Sequence, residues 1–329
     1  MKITFKDVGQ GDSILLEWSE KAINKIIIID CNKKDKQNPV LNHIKSICHQ
    51  EIECMILSHP HSDHYSGMTE VLDYAETKGI IIRQFAHTLH FLANDYYKYL
   101  GAVEIDTEAL KGLQDLIDTV DRLKKKGIIK KIGFITEGWH LDILDNVHIK
   151  CLSPGPEEAR RYMDLVDMEP IANKSAATRA ANYLSTVFVL TVLQKYHILT
   201  SDCEIPVLER LISQNSHTFL HRNSMAICQL PHHGSLKNHL PDFWDFITVS
   251  EKPVAVVSAG LHEKYKHPHF PVLDSFYRKG YFIKSTNIVY GMVEYAEYLK
   301  KLRVTSNKLD SFADLVSYHT GGDQSFDLN

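Results

Sequence analysis

The sequence predicts an α/β fold, a four-layer αββα sandwich, on three observations. Apolar runs of strand length recur in both halves of the chain. Segments of helical spacing fall between them, and groups of His and Asp stand just after the runs. The expected organisation is one domain over residues 1–305, with a helical insert at about 88–131, then a C-terminal tail at 306–329. With 329 residues, 44% of them hydrophobic, the chain can bury a large core.

Residues 1–30 read as a β-meander. Strands are expected at 3–5, 13–18 and 25–30, with Asp7-Val8-Gly9-Gln10-Gly11-Asp12 as a tight loop between the first two. Val40, Leu41, Ile44, Ile47 and Cys48 give 38–50 a helical face, and 53–57 is a short buried strand. A helix at 69–77 and a strand at 80–85 follow. Residues 88–131 change character: Tyr96, Tyr97 and Tyr99 precede a stripe of Leu110, Leu113, Leu116, Ile117, Val120 and Leu123. This segment is expected to cover the face that carries the site. Its lysines, Lys124, Lys125, Lys126, Lys130 and Lys131, suit a phosphate backbone, but a solvated helix end favoured by the helix dipole is the plainer reading.

Strands resume at 132–135, 141–143 and 147–152, until Ser153-Pro154-Gly155-Pro156 breaks the pattern. Residues 157–181 are polar and include Arg160, Arg161, Lys174 and Arg179, as a lid or substrate rim would. A hairpin at 185–193 and 196–200 ends at Ser201-Asp202. A helix at 205–213, strands at 225–230 and 254–258, a helix at 272–278 and a strand near 281–284 complete the second half.

Composition narrows the function. A net charge of -4 argues against a broadly basic coat for nucleic acid, while leaving room for a local basic groove. The six cysteines are scattered with no Cys-x-x-Cys pair, which suits reduced thiols and a cytoplasmic location. The chain opens on a strand pattern rather than a targeting signal. Its densest apolar run, 26–29, is far too short to span a bilayer, so no membrane role is expected.

The most informative stretch is Ser58-His59-Pro60-His61-Ser62-Asp63-His64, with four potential metal ligands in six residues. A His-x-His pair can aim two imidazoles at one ion, and the Asp-His pair beyond it can aim at a second. A two-metal site also needs a bridging carboxylate, and Asp202 at a strand end suits that role. His232 or His233 suits the closing imidazole, and His267 and His269 stand at a further strand end. Alone, each of these residues reads as an ordinary turn residue. Together, they read as a metal centre.

His59-x-His61-x-Asp63-His64 is similar to the signature of the metallo-β-lactamase superfamily. Asp7-Val8-Gly9-Gln10-Gly11-Asp12-Ser13, Pro231-His232-His233-Gly234-Ser235 and Tyr265-Lys266-His267-Pro268-His269 narrow the resemblance to the ComEC-like branch, in its free-standing, soluble form. The resemblance covers roughly 1–85 and 145–291. Asn182 and Ser185 stand where the superfamily often has a histidine, resembling the Asn-Asn-x-Ser pattern of the ComEC-like branch, and the chain departs from that branch at Ser201, Glu263 and Lys266.

The resemblance implies two divalent metal ions, zinc or manganese. One would sit on His59, His61 and Asp202, and the other on Asp63, His64, Asp202 and one of His232 and His233. Asp12 and Asp30 would steady the ligand histidines from behind, and Asn182 and Ser185 would lie beside the first ion. Asp63 would also orient the attacking water, with His267 or His269 protonating the leaving oxygen. Arg160, Arg161, Lys237 and Lys266 are the candidate substrate contacts. The expected activity is nuclease or phosphodiesterase cleavage of DNA, with a protein partner in a multi-component system also in view. Two other readings use the same residues: a small-molecule hydrolase acting on a lactone, thioester, β-lactam or cyclic nucleotide, and a binding subunit that holds metal only structurally.

Overall fold

The computed structural model describes residues 1–47, 49–88, 107–167, 180–214, 219–306 and 321–328. The strands in chain order are β1 (Lys2–Phe5), β2 (Ile14–Glu20), β3 (Ile23–Ile29), β4 (Glu51–Leu57), β5 (Ile81–His87), β6 (Ile129–Phe134), β7 (His140–Leu144), β8 (Val147–Ser153), β9 (Val187–Val192), β10 (Lys195–Leu199), β11 (Ser224–Gln229), β12 (Val249–Val257), β13 (Phe282–Ser285) and β14 (Gln324–Asp327). They form two seven-stranded sheets, ordered β14-β1-β2-β3-β4-β5-β6 and β13-β12-β11-β10-β9-β8-β7.

Side-chain alternation stacks the sheets. Ile14, Leu16, Ile27 and Ile29 enter a core shared with Ile149, Phe188, Leu190 and Val256 of the other sheet. Their neighbours Leu15, Ile26 and Ile28 point the opposite way, into a core with the helices Pro39–Ile47 and Met68–Lys78. The second sheet buries Val189, Tyr196 and Ile198 against its own helices, including Ile205–Ser213 and Phe270–Arg278. Successive strand residues face opposite sides of a sheet, so runs buried on both faces demand cover on both. The result is the four-layer αββα sandwich. The five cysteines among the described residues are buried and unpaired, and no described helix is long and apolar enough to cross a membrane.

The segment expected as a cover over the site is, where described, part of the sandwich body. Its helix, Thr107–Lys125, buries Leu113, Leu116, Val120 and Leu123 in the outer core of the first sheet. β5 and β6 pair in parallel, so the chain must cross over between them, and this helix lies on that crossover. The lysines at its end make local contacts: Lys126 pairs with Glu76 at 2.5 Å, and Lys124 donates to the Lys130 carbonyl at 2.6 Å. Tyr96, Tyr97, Tyr99, Lys174 and Arg179 lie outside the described residues.

The expected tail is also corrected in part. Residues 324–327 form β14, which adds to β1 in antiparallel register with Lys2 opposite Asp327. Phe326 packs edge-on against Phe5, and Leu328 reaches the core between the sheets. The helix Gly291–Ser306 was not anticipated. It buries Met292, Tyr295 and Leu299 beside the helix Phe270–Arg278.

One core residue makes stability depend on pH. His197 lies in β10 opposite Leu190, is buried, and has no partner for Nδ1. Burial, with Lys195 nearby, lowers its pKa to about 4. The unfolded chain therefore binds a proton near pH 6.5 that the folded chain refuses until about pH 4. Stability is full above about pH 6.5 and declines as pH falls through that window, by up to about 3 kcal/mol for this group. His239, also lowered to about 4 by burial, adds to the same decline. Thermal unfolding across pH 4–7 is expected to show a smaller acid-side fall for H197L than for wild type. Parallel curves would contradict a buried neutral His197.

Candidate metal centre

The site forms where parallel strands of both sheets end. β3 ends at Asp30, β4 delivers Ser58 to His64, β10 runs into Ser201-Asp202, and β11 runs into Pro231–Gly234. β3, β4 and β5 pair in parallel, as do β10 and β11, so their carboxyl ends share one edge. Ligand sites of open α/β sheets commonly lie at such an edge.

At the first sheet's end, Asp30 organises the turn. Its backbone is left-handed at φ 58°, a conformation Asp tolerates better than most residues. The Asp30 carboxylate accepts from Ser58 N–H at 2.8 Å, Ser58 Oγ–H at 2.6 Å and His64 Nδ1–H at 2.7 Å. That last contact fixes the His64 tautomer and leaves Nε2 to face the site. The preceding loop packs directly on the motif: Asp12 N–H donates to the Asp63 carbonyl at 3.2 Å. Gly11 has φ 134°, and a Cβ there would lie 2.3 Å from the same carbonyl. Only glycine lets the two segments meet.

At the second sheet's end, Gln229 organises the turn. Its Oε1 accepts from both Thr200 N–H and Ser201 N–H at 2.9 Å, while its Nε2 donates to Asp12 at 2.8 Å. This carboxamide spans the two sheets and presents Asp202. His232 and His233 have left-handed backbones, with φ 48° and 56°, and His232 N–H donates to the Ser201 carbonyl at 3.0 Å. The tight double turn brings both rings beside Asp202.

Asp202 is the centre of the arrangement. Its Oδ2 lies 3.9 Å from His59 Nε2, 3.7 Å from His64 Nε2 and 3.7 Å from His232 Nε2, and its Oδ1 lies 3.5 Å from His233 Nε2. Asp63 completes this side, 3.6 Å from His233 Nε2 and 3.9 Å from His64 Nε2. His59 Nε2 also meets His61 Nδ1 at 3.0 Å. His59, His61 and Asp202 thus form one compact donor group, with ligand atoms all within 4.8 Å of one another.

Asp12, His64, Asp202 and His233 form a second group by the same measure. Within it, Asp12 stands behind the rings, 4.0 Å from His64 Nδ1 and 3.9 Å from His233 Nδ1, whereas the Nε2 atoms turn toward Asp63 and Asp202. Asp63 is therefore the better fourth donor on geometric grounds, and Asp12 backs the histidines.

Charges in the cluster are strongly coupled. Burial pushes the His64 pKa down, but the carboxylates of Asp30, Asp63 and Asp202 outweigh it and hold this imidazole well above its ordinary range. His233 is raised to about 9 against burial by Asp202 and Asp12. Asp202 is held well below the usual carboxylate range, despite burial, by His232, His233 and His64. His59 goes the other way, driven well below its ordinary value by burial and then by His64 and His61. Carboxylates this deep require compensating positive charge, which protons or a cation can supply at the same nitrogens.

The donor set fits a cation. His64 Nε2, His233 Nε2 and Asp202 Oδ1 are buried without hydrogen-bond partners, and all three point into the same space. Unpaired buried polar atoms are costly, and a shared divalent ion would satisfy all three.

The remaining expected residues fall in different places. Asn182 is buried and donates through Nδ2 to Glu204 at 3.0 Å, leaving Oδ1 unpartnered; the Ser185 hydroxyl is likewise buried and unpartnered. His267 packs on His232, with ring centres 5.5 Å apart. Its pKa is lowered to about 3 by burial and then by His233 and His232. His269 Nδ1 instead accepts from Leu236 N–H at 3.2 Å, which ties the histidine turn to the next helix. Lys237 and Lys266 are exposed on turns adjoining the site histidines. Arg160 and Arg161 are exposed on the helix Pro156–Asp167, where Arg161 lies over the Tyr183 ring at 5.8 Å. Sequence reasoning missed Ser58, Gln229 and the Ser258 carbonyl, which faces His233 Nδ1 at 3.2 Å. The only linear sign of the first two was their position at strand ends.

No protein-family model matches the chain, and no curated protein matches it in sequence. Solved structures that it resembles include the metallo-beta-lactamase fold protein YhfI from Bacillus subtilis, at 11% identity and TM-score 0.38 over 70% of each chain. A diphosphatase from the PhnP family matches at 10% identity and TM-score 0.37, over 78% of this chain and 85% of that one. Zn(2+)-bound PqqB from Methylobacterium extorquens matches at 8% identity and TM-score 0.35, over 70% and 74%. At this distance the site's own geometry, rather than the likeness, identifies what the chain can bind.

Replacing Asp30 tests the support behind His64. D30A is expected to weaken divalent-metal binding by about 10- to 100-fold, as loss of a carboxylate behind a ligand histidine does, with the fold retained by circular dichroism. Unchanged affinity in a metal titration would refute the role.

Proposed function

We propose that this protein is a metal-dependent hydrolase of phosphodiester bonds, with DNA as its substrate. One observation carries the reading. The Asp202 carboxylate lies within 4 Å of imidazole nitrogens from His59, His64, His232 and His233, so it can be shared between two cations. His59, His61 and Asp202 would hold one ion, and Asp63, His64, His233 and Asp202 the other. Zinc and manganese both suit imidazole and carboxylate donors. When bound, such ions acidify a water toward neutral pH and oppose the charge that develops on phosphoryl oxygens.

The chain's own groups do the rest. Asp63 has the most exposed carboxylate of the set and can accept a proton-side hydrogen bond from the attacking water. His267, beside His232 and with Nδ1 unpartnered, would meet the leaving oxygen as a neutral imidazole that donates a hydrogen bond, since its pKa is lowered to about 3. His269, whose Nδ1 accepts from Leu236 N–H and whose proton would therefore sit on Nε2, is the alternative donor. Lys237 and Lys266 are assigned to flanking phosphates, with Arg160 and Arg161 as outer contacts. The resemblance of the motifs at 7–13, 59–64 and 231–235 to the ComEC-like branch favours a phosphodiester over other bonds.

Purified protein supplied with Mn²⁺ or Zn²⁺ is expected to degrade labelled DNA strands, and chelation is expected to stop it. H59A and D202N should fall to background. Absence of cleavage by the metal-loaded protein, or undiminished cleavage by D63A, would sink the reading.

A further inference from the structure

Ser201 has a backbone that serine rarely adopts. Its φ is 46°, in the left-handed region, where a Cβ costs energy and glycine pays none. Strain of this kind persists where the surrounding structure makes use of it. Glycine could form the same turn with both backbone contacts kept. Ser201 N–H donates to Gln229 Oε1 at 2.9 Å, and the Ser201 carbonyl accepts from His232 N–H at 3.0 Å. What glycine would lack is the hydroxyl.

That hydroxyl is buried and reaches from the second sheet to the first. Ser201 Oγ–H donates to Ser58 Oγ at 2.9 Å, and Ser58 Oγ–H donates to Asp30 Oδ2 at 2.6 Å. His59 Nδ1 lies 3.1 Å from Ser58 Oγ and 3.3 Å from Ser201 Oγ. Each hydroxyl has one proton, and both protons are directed elsewhere. Nδ1 therefore faces two acceptors and carries the ring proton, which leaves the lone pair on Nε2. Nε2 is the atom that faces Asp202 and meets His61 Nδ1.

We propose that Ser201 is a positioning residue for the ion on His59, His61 and Asp202: its hydroxyl holds His59 in the tautomer and orientation that ligate. This deepens the two-ion reading above and does not depend on which bond is hydrolysed. His64 has its own orienting carboxylate in Asp30, so loss of the Ser201 hydroxyl weakens one ion and spares the other. A residue that merely shaped the Asp202 turn would affect both, because Asp202 is shared.

The test is zinc affinity, measured by competition with a chromophoric chelator, with the metal-free fold followed by circular dichroism. Wild type is expected to bind two ions, and H61A to lose the one that His61 holds. S201A and S201G are expected to keep the fold and to weaken that same ion about tenfold. Added to H61A, neither should alter the ion that remains. Equal weakening of both ions, unchanged affinity, or weakening by S201G that S201A does not share would each overturn the proposal. The last result would assign the effect to the backbone. Unfolding of both variants would overturn it too, by making the hydroxyl a support of the fold. A single wild-type ion that H61A abolishes and S201A weakens would uphold the role of Ser201 while defeating the two-ion reading. No zinc bound by wild type would defeat both.

Discussion

The structure depends on how the Asp202 carboxylate is kept ionised in a buried place. A lone carboxylate there would take up a proton, because burial favours the neutral form. Here imidazoles from two segments of chain, 59–64 and 232–233, surround it, and those of His232, His233 and His64 hold it well below the usual carboxylate range. Those segments are far apart in sequence and belong to different sheets. The sandwich can thus be read as a device for delivering distant imidazoles to one acid. The site's charge balance, in turn, disfavours any packing that leaves Asp202 without them.

Delivery relies on strand direction. Parallel pairing puts the carboxyl ends of β3, β4 and β5 at one edge, and likewise β10 and β11. The helices behind the strands supply cover, but among the described residues none of the longer ones carries a donor to Asp202. Ligands come from turns anchored by rigid strands and held by side-chain hydrogen bonds, which is how a site gains precision without burying long loops.

Much of this was legible in the sequence. His59 to His64 announced itself because four donors follow an apolar run, and Asp202 because it ends another. Strand positions were readable because uninterrupted apolar runs mark strands buried on both faces. Three things were not readable. The helix Thr107–Lys125 showed its apolar stripe, but not that β5 and β6 would pair in parallel around it. β14 carries too few apolar residues to stand out, and only its partner β1 defines it. Gln229 has no pattern at all, since its role arises from two backbone N–H groups and an acid brought near by the fold.

Gln229 has a wider consequence. One end of its carboxamide grips the turn before Asp202, and the other grips Asp12, on the loop that packs against the His59–His64 segment. It is a cross-tie between the two halves of the molecule, set at the depth of the ligands. Any slippage of one sheet over the other would change the separation of the donors before it disturbed the strands. The affinity of the donor cluster for an added divalent cation should therefore gauge how firmly the halves are docked, and mild heat or denaturant should lower it while both sheets are still intact.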